Sequence, residues 1–251
     1  MLNETDFIIP VFIDHADRLR NLKIMLSYLK KIGATNVYVR EYFDGTQKTK
    51  ELQALFPEHH FSSKERDVPF FNKMTCVNEV YKMFSKGKVV SFYDVDVLFS
   101  KKDLIEASNL ILNKQADVVY PYNGYFYDVP AETVKLLETD LNTPIDLNRC
   151  KLFNTGSHGG GALFDRQVFE DGGMCNPNFK NVGYDDDEIR VRFDKLNYKI
   201  TRTKGVLLHL NHFRGATSFN HNDYTANNVN EVEKVTRMTK EELREYIQSW
   251  K

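Results

Sequence analysis

Two aspartates one residue apart, Asp94 and Asp96, interrupt an otherwise apolar run, Val89-Val90-Ser91-Phe92-Tyr93-Asp94-Val95-Asp96-Val97-Leu98. On a single strand, positions i and i+2 face the same side. Both carboxylates are therefore expected to project together near the strand's C-terminal end, where open α/β sheets bind ligands. Two like charges held close in such surroundings are costly unless a cation or hydrogen-bond donors neutralise them, and a divalent metal does so most simply. The alternative is a pair of acids at a solvated strand end, because a bare D-x-D spacing recurs by chance.

Three further segments carry chemistry. His209 and His212 directly follow the apolar Gly205-Val206-Leu207-Leu208. Three residues apart, they can converge on one cation, neutral imidazole being a common metal ligand. The run Asp185-Asp186-Asp187-Glu188 follows Gly183-Tyr184. It reads either as the solvated, dipole-matched first turn of a helix, the better reading for Asp187 and Glu188, or as the source of one partly desolvated general base. The stretch Thr155-Gly156-Ser157-His158-Gly159-Gly160-Gly161 either brings backbone N–H groups close to a ligand or is a flexible turn. No G-x-x-x-x-G-K-[ST], G-x-G-x-x-G or G-x-S-x-G occurs, which removes three common enzyme classes.

The elements that must position these residues alternate between strand and helix. Phe7-Ile8-Ile9-Pro10-Val11-Phe12-Ile13 is continuous and apolar, as expected for a strand buried on both faces. Asp17 is placed to cap a helix whose Leu19, Leu22, Leu26 and Leu29 share a stripe and which Gly33 ends. A second strand over Asn36–Glu41 completes a β-α-β unit with parallel pairing. A helix over Asn72–Phe84, a strand over Lys88–Phe99, a helix begun by Ser100 and Asp103, and a strand over Asp117–Tyr120 follow. Thr239-x-x-Glu242 starts a last helix whose Leu243, Tyr246, Ile247 and Trp250 form one docking face.

No linker or repeat divides the 251 residues, so a single domain is expected. Thirty-four Lys+Arg against 35 Asp+Glu leave a net charge of −1, too little for a bulk nucleic-acid or anionic-membrane partner. Phe7–Ile13 is too short and too interrupted for a signal peptide or a membrane span. Cys76, Cys150 and Cys175, odd in number and without C-x-x-C spacing, read as reduced thiols of a cytoplasmic protein.

Taken in order, these motifs resemble those of GT-A-fold glycosyltransferases, particularly the β-1,4-galactosyltransferase-related group and its bacterial capsule and lipopolysaccharide relatives. The likeness runs from Phe7 to about Asn220. Ile8-Ile9-Pro10-Val11 resembles the family's first nucleotide-binding strand, and Phe71-Asn72-Lys73 its Phe-Asn-Arg element, with Lys for Arg. Tyr93-Asp94-Val95-Asp96-Val97 matches its Asp-Val-Asp motif, and Gly159-Gly160, followed after eight residues by Phe169, matches its Gly-Gly segment. Gly183-Tyr184-Asp185-Asp186-Asp187 corresponds to its Gly-Gly-Glu-Asp-Asp, and His212-x-Arg214 keeps its local histidine pattern. The family's Arg-x-Arg after the first strand and its Trp-rich stretch before the acidic cluster are missing; the sole Trp is Trp250.

The resemblance implies an α/β GT-A fold, a single domain with a mostly parallel central sheet flanked by helices. It implies a nucleotide-binding half over 1–100, an acceptor and catalytic half over 101–230, and a C-terminal helix over 231–251. Asp96, His209 and His212 would hold Mn2+ or Mg2+, the imidazoles favouring Mn2+. Pro10, Phe12, Glu41, Phe71, Lys73, Asp94 and Gly160 would form the donor pocket. Asp186 would be the general base of an inverting hexosyl transfer from a UDP-hexose to a saccharide or glycolipid acceptor, with Asp185 the next candidate. Arg214–Asn230 would be a mobile lid, and peripheral membrane association is left open. An inactive nucleotide-sugar or glycan-binding module is the main rival. A sugar-1-phosphate nucleotidyltransferase would carry a Gly-rich N-terminal loop, and Phe7–His15 has none.

Overall fold

The apolar opening run has no polar face to turn toward water. It forms the strand β1 (Thr5–Phe12), with Phe7, Ile8 and Ile9 fully buried, in a computed structural model that describes residues 2–213 and 223–250. Helix α1 (Ala16–Ile32) lays Leu22, Met25, Leu26 and Leu29 on the sheet and ends at Gly33, whose φ of 86° suits a residue without a Cβ. Its N-cap is His15, not Asp17: the His15 ring accepts the Asp17 amide at 3.2 Å. Asp17 lies in the first turn, where its carboxylate accepts the Phe213 amide at 2.9 Å and pairs with Arg20.

The chain continues through β2 (Asn36–Phe43), α2 (Thr49–Leu55), β3 (His60–Glu65), α3 (Lys73–Phe84) and β4 (Val89–Tyr93). The single strand expected over 88–99 is broken. After β4 the chain turns through Asp94-Val95-Asp96 and resumes as β5 (Val97–Leu98) in a different sheet. Next come α4 (Lys101–Leu112), capped by Ser100 as expected, β6 (Val118–Tyr120), β7 (Phe126–Val129), α5 (Ala131–Thr139) and β8 (Lys151–Asn154). Then follow β9 (Gly161–Asp165), α6 (Arg166–Asp171), α7 (Asp185–Lys195), β10 (Ile200–Arg202) and β11 (Leu207–Leu210). The C-terminal segment is two helices, α8 (Thr225–Arg237) and α9 (Lys240–Gln248), because Thr239 and Glu242 form a reciprocal capping box that restarts the helix. Leu243 and Ile247 of α9 pack with Val235 and Leu196, and the Trp250 indole donates to the Gly173 carbonyl.

The main sheet runs β10-β6-β9-β4-β1-β2-β3. Its β4-β1-β2-β3 half is parallel, β10 pairs parallel with β6, and only β9 is antiparallel to its neighbours β4 and β6. The chain leaves β1 for β2 on one side and returns as β4 on the other. That reversal opens a crevice at the C-terminal ends of β1 and β4. The second sheet, β5-β11-β7-β8, closes over it. Because β11 pairs antiparallel with β5, His209 lies opposite Val97 and next to Asp96. No described helix is long and apolar enough to cross a membrane.

Candidate active site

A cleft of about 300 Å³ occupies that crevice. Asp94 and Asp96 both line it, but the turn between β4 and β5 sends their carboxylates to different partners. The Lys73 ammonium sits 3.0 Å from Asp94 Oδ1 and 3.0 Å from Asp185 Oδ2. Burial pulls the Lys73 ammonium down, yet Asp185 and Asp94 outweigh burial and hold it well above its ordinary value. This lysine at the start of α3 is thus a buried cation joining the D-x-D turn to the start of α7.

Asp96 faces the histidines. Its Oδ2 lies 3.0 Å from His212 Nε2 and 3.9 Å from His209 Nε2, and one ligand atom from each of the three residues falls within a 4.8 Å cluster. Burial raises the Asp96 carboxyl, but the His212 hydrogen bond and the charges of His209, His212 and Arg18 prevail and keep it low. His209 Nδ1 lies 2.5 Å from Asp128 Oδ1 and His212 Nδ1 lies 2.6 Å from the Phe213 carbonyl. Both partners are acceptors, so each Nδ1 carries a proton and each ring turns its Nε2, the atom that would ligate a bound metal, toward Asp96. This donor set, one carboxylate and two oriented imidazoles, fits a divalent metal and suits Mn2+ better than oxygen-preferring Mg2+.

The acidic run at the start of α7 divides into four different environments. Asp185 is the buried partner of Lys73. Asp186 lines the cleft, and its shielded Oδ1 accepts no hydrogen bond from a described residue. Burial, and then the charge of Asp185, push the Asp186 carboxyl well above the usual carboxylate range against the opposing Lys73. Asp187 is exposed, with His158 Nδ1 at 3.7 Å. Glu188 corrects the solvated-turn reading: it is fully buried and grips the buried Arg192 at 2.7 and 3.1 Å. Arg192 in turn donates to the carbonyls of Gly172 and Met174.

The glycines are set by close approach. Gly160 has φ +88°, and a Cβ there would meet Leu207 Cδ1 at 2.4 Å; its carbonyl accepts the Asp94 amide at 3.0 Å. A Cβ on Gly159 would stand 3.0 Å from Asp186 Oδ2. Gly159 needs no positive φ, so Gly159→Ala should leave the fold intact while displacing the Asp186 carboxylate. Small misplacements of reacting groups are costly. Turnover should therefore fall about tenfold with little change in melting temperature, and steady-state rates beside a thermal melt check both.

Of the expected donor-pocket residues, Pro10, Phe71, Lys73, Asp94 and Gly160 line the cleft. Phe12 lies behind it, stacked on Phe71 with centroids 6.2 Å apart. Glu41 holds a turn instead. Its carboxylate accepts the amides of Lys48 and Thr49 and the Thr49 hydroxyl, which closes the entry into α2. The expected lid over 214–230 falls partly outside the described residues, and 225–230 are the first turns of α8. Sequence reasoning missed Arg18, Phe153, His158 and Asp128. Arg18 could have been found from its place one turn into the helix after β1. Asp128 carried no signal, since it meets His209 only through the β7–β11 pairing.

No protein-family model matches the sequence, and neither does any curated protein. Solved structures do match. The mannosyltransferase PcManGT from Pyrobaculum calidifontis, in complex with GDP-Man and Mn2+, aligns with a TM-score of 0.54 at 15% identity over 84% of this chain. The chain spans only 57% of that structure's length. The catalytic domain of Drosophila β1,4-galactosyltransferase 7, in complex with xylobiose, aligns with a TM-score of 0.51 at 15% identity, over 94% of this chain and 81% of that one. Likeness at this identity establishes the fold: an α/β GT-A arrangement with a mostly parallel central sheet flanked by helices.

Proposed function

We propose that the chain is a metal-dependent, inverting glycosyltransferase that moves a hexose from a nucleotide sugar to a glycan acceptor. The observation that carries this reading is one cleft holding two complementary devices. Asp186, a carboxylate whose Oδ1 has no hydrogen-bond partner among the described residues, and the oriented Asp96–His209–His212 set line the same cavity. Mn2+ or Mg2+ held by Asp96, His209 and His212 would supply Lewis-acid neutralisation of the departing nucleoside diphosphate.

The chain's own residues perform the rest. Asp186 takes the proton of the acceptor hydroxyl as that oxygen bonds to the anomeric carbon. The bond from that carbon to the diphosphate oxygen breaks on the opposite face, which inverts the centre. General-base assistance of this kind is typically worth about 10²–10⁴-fold, most where the base titrates near the working pH. The upward shift of the Asp186 carboxyl is in that direction. Lys73, clamped by Asp94 and Asp185, fixes the cleft floor, and Arg18, with Nη1 4.0 Å from Asp96 Oδ2, adds positive charge beside the metal residues. Our reading takes the donor as a UDP-hexose such as UDP-Gal or UDP-GalNAc, the acceptor as a saccharide or glycolipid of surface polysaccharide synthesis, and the enzyme as cytoplasmic.

A thermal-shift screen of nucleotide sugars with Mn2+ tests donor binding, because a ligand of the native state raises apparent stability. Nucleoside diphosphate release on adding a saccharide acceptor tests turnover. Donor binding without release under any acceptor would leave a binding module and defeat the enzymatic reading.

The acceptor side makes its own prediction. Phe153 on β8 keeps 56% of its surface exposed although its ring lines the cleft, backed by Phe126 with centroids 5.5 Å apart. An exposed aromatic face there is suited to the C–H face of a sugar. Phe153→Ala should raise the acceptor KM by roughly three- to tenfold, the range of an aromatic contact, with the donor KM unchanged. An effect confined to the donor would reassign the ring.

A further inference from the structure

Each imidazole that faces Asp96 is held from behind, and the two supports come from different parts of the fold. On β11, His209 lies directly opposite Asp128 of β7 in the parallel pair. Asp128 Oδ1 receives the His209 Nδ1 proton at 2.5 Å, while the Phe126 ring flanks the imidazole with centroids 5.2 Å apart. The ladder fixes the His209 backbone, but only the carboxylate fixes which ring nitrogen faces Asp96.

His212 lies beyond the end of β11, where no ladder holds it. Its Nδ1 donates to the Phe213 carbonyl, and the Phe213 amide donates to Asp17 Oδ2 at 2.9 Å. Asp17 is braced by Arg20 at 2.8 Å. Arg20 also donates to the Asn211 carbonyl, and the buried Asn21 donates to the Leu210 carbonyl, each at 2.8 Å. The first turns of α1 therefore clamp the whole segment that carries His212.

We propose that Asp128 and Asp17 are positioning residues of the metal site: Asp128 orients His209 directly, and Asp17 orients His212 through the Phe213 peptide. This rests on the reading of Asp96, His209 and His212 as metal ligands. Partners behind a ligating histidine set its tautomer and orientation, and their loss typically weakens metal affinity about ten- to a hundredfold.

The test is calorimetric titration of the full chain with Mn2+ alone, without donor. Asp128→Leu should weaken Mn2+ binding about ten- to a hundredfold. Asp128→Asn keeps an acceptor for Nδ1–H and should fall between that variant and wild type, a rescue that a purely structural role would not give. Asp17→Ala should weaken binding by a smaller factor. The metal-free melting temperature of Asp128→Asn and Asp17→Ala should move by no more than about 4 °C. Wild-type Mn2+ affinity in both Asp128→Leu and Asp17→Ala would overturn the proposal while leaving the metal site standing. A wild-type chain that binds no Mn2+ would instead remove the metal reading, and this inference with it.

Discussion

Asp96→Ala is expected to abolish Mn2+-dependent binding of UDP while the chain remains folded. Asp96 is the common point of the site: His212 Nε2, His209 Nε2 and Arg18 Nη1 all lie within 4.0 Å of its Oδ2. Removing it takes away the only carboxylate of the set and leaves the Arg18 charge beside the two imidazoles without its counter-ion, which disfavours an incoming cation as well as depriving it of a ligand. Losing even an outer partner costs about ten- to a hundredfold, so the loss here should exceed about a hundredfold. The double change His209→Ala with His212→Ala should do the same. Either single histidine change should be partial, because water can fill one position. Calorimetry with UDP at fixed Mn2+ reads all four proteins. Unchanged Mn2+-dependent UDP affinity in both Asp96→Ala and the double variant would rule out this site.

The parts of the fold legible in the sequence are those whose signal is local. The β1 run, the α1 stripe with Gly33, the Ser100 cap and the Thr239–Glu242 capping box each need only neighbouring residues, and each forms as expected. The strands β3, β7 and β8 were invisible for the opposite reason. None carries a continuous buried run, β8 being exposed and β3 and β7 mostly half-buried, and pairing partners distant in sequence hold them. The site follows the same division. Residue types and order located Asp96, His209, His212 and Asp186, all of which reach one cleft. The period-2 argument for Asp94 and Asp96 does not apply, because β4 ends at Tyr93 and both lie in the turn before β5. Both reach the cleft at the end of β4, but Lys73 pairs with Asp94 and Asp185 while Asp96 faces the histidines. Glu41, read as a donor-pocket residue, caps a turn, and Glu188, read as part of a solvated first turn, is half of a buried ion pair. Burial distinguishes these roles, and burial is a property of the packed chain.

Lys73 also explains why the acids at the start of α7 do not act alike. One ammonium bridges Asp94 and Asp185 at the floor of the cleft, so Asp185 is engaged while Asp186 Oδ1, on the next residue, accepts no hydrogen bond from a described residue. A single cation thus engages one of two consecutive carboxylates and leaves the other, the proposed base, free to face the cleft.

That separation sets the sharpest expectation. Asp186→Asn keeps the size and most of the hydrogen-bonding capacity of the side chain but cannot take a proton at neutral pH. Turnover should fall by roughly two or more orders of magnitude with donor affinity near wild type, as for an interaction used only in the transition state. Asp187→Asn, at an exposed position, should cost little. The pH profile adds a second constraint. Only ionised Asp186 can act, and burial and Asp185 raise its carboxyl above the ordinary range, so kcat/KM should climb with pH through a midpoint above that of a free carboxylate. Asp185→Asn removes the neighbouring negative charge and should shift this acid limb to lower pH, the direction opposite to a loss of Lys73. Near-normal turnover in Asp186→Asn would sink the assignment, and the base would then be sought first at Asp185. An acid limb that stays in place in Asp185→Asn would show that the group titrating in the rate is not the neighbour of Asp185.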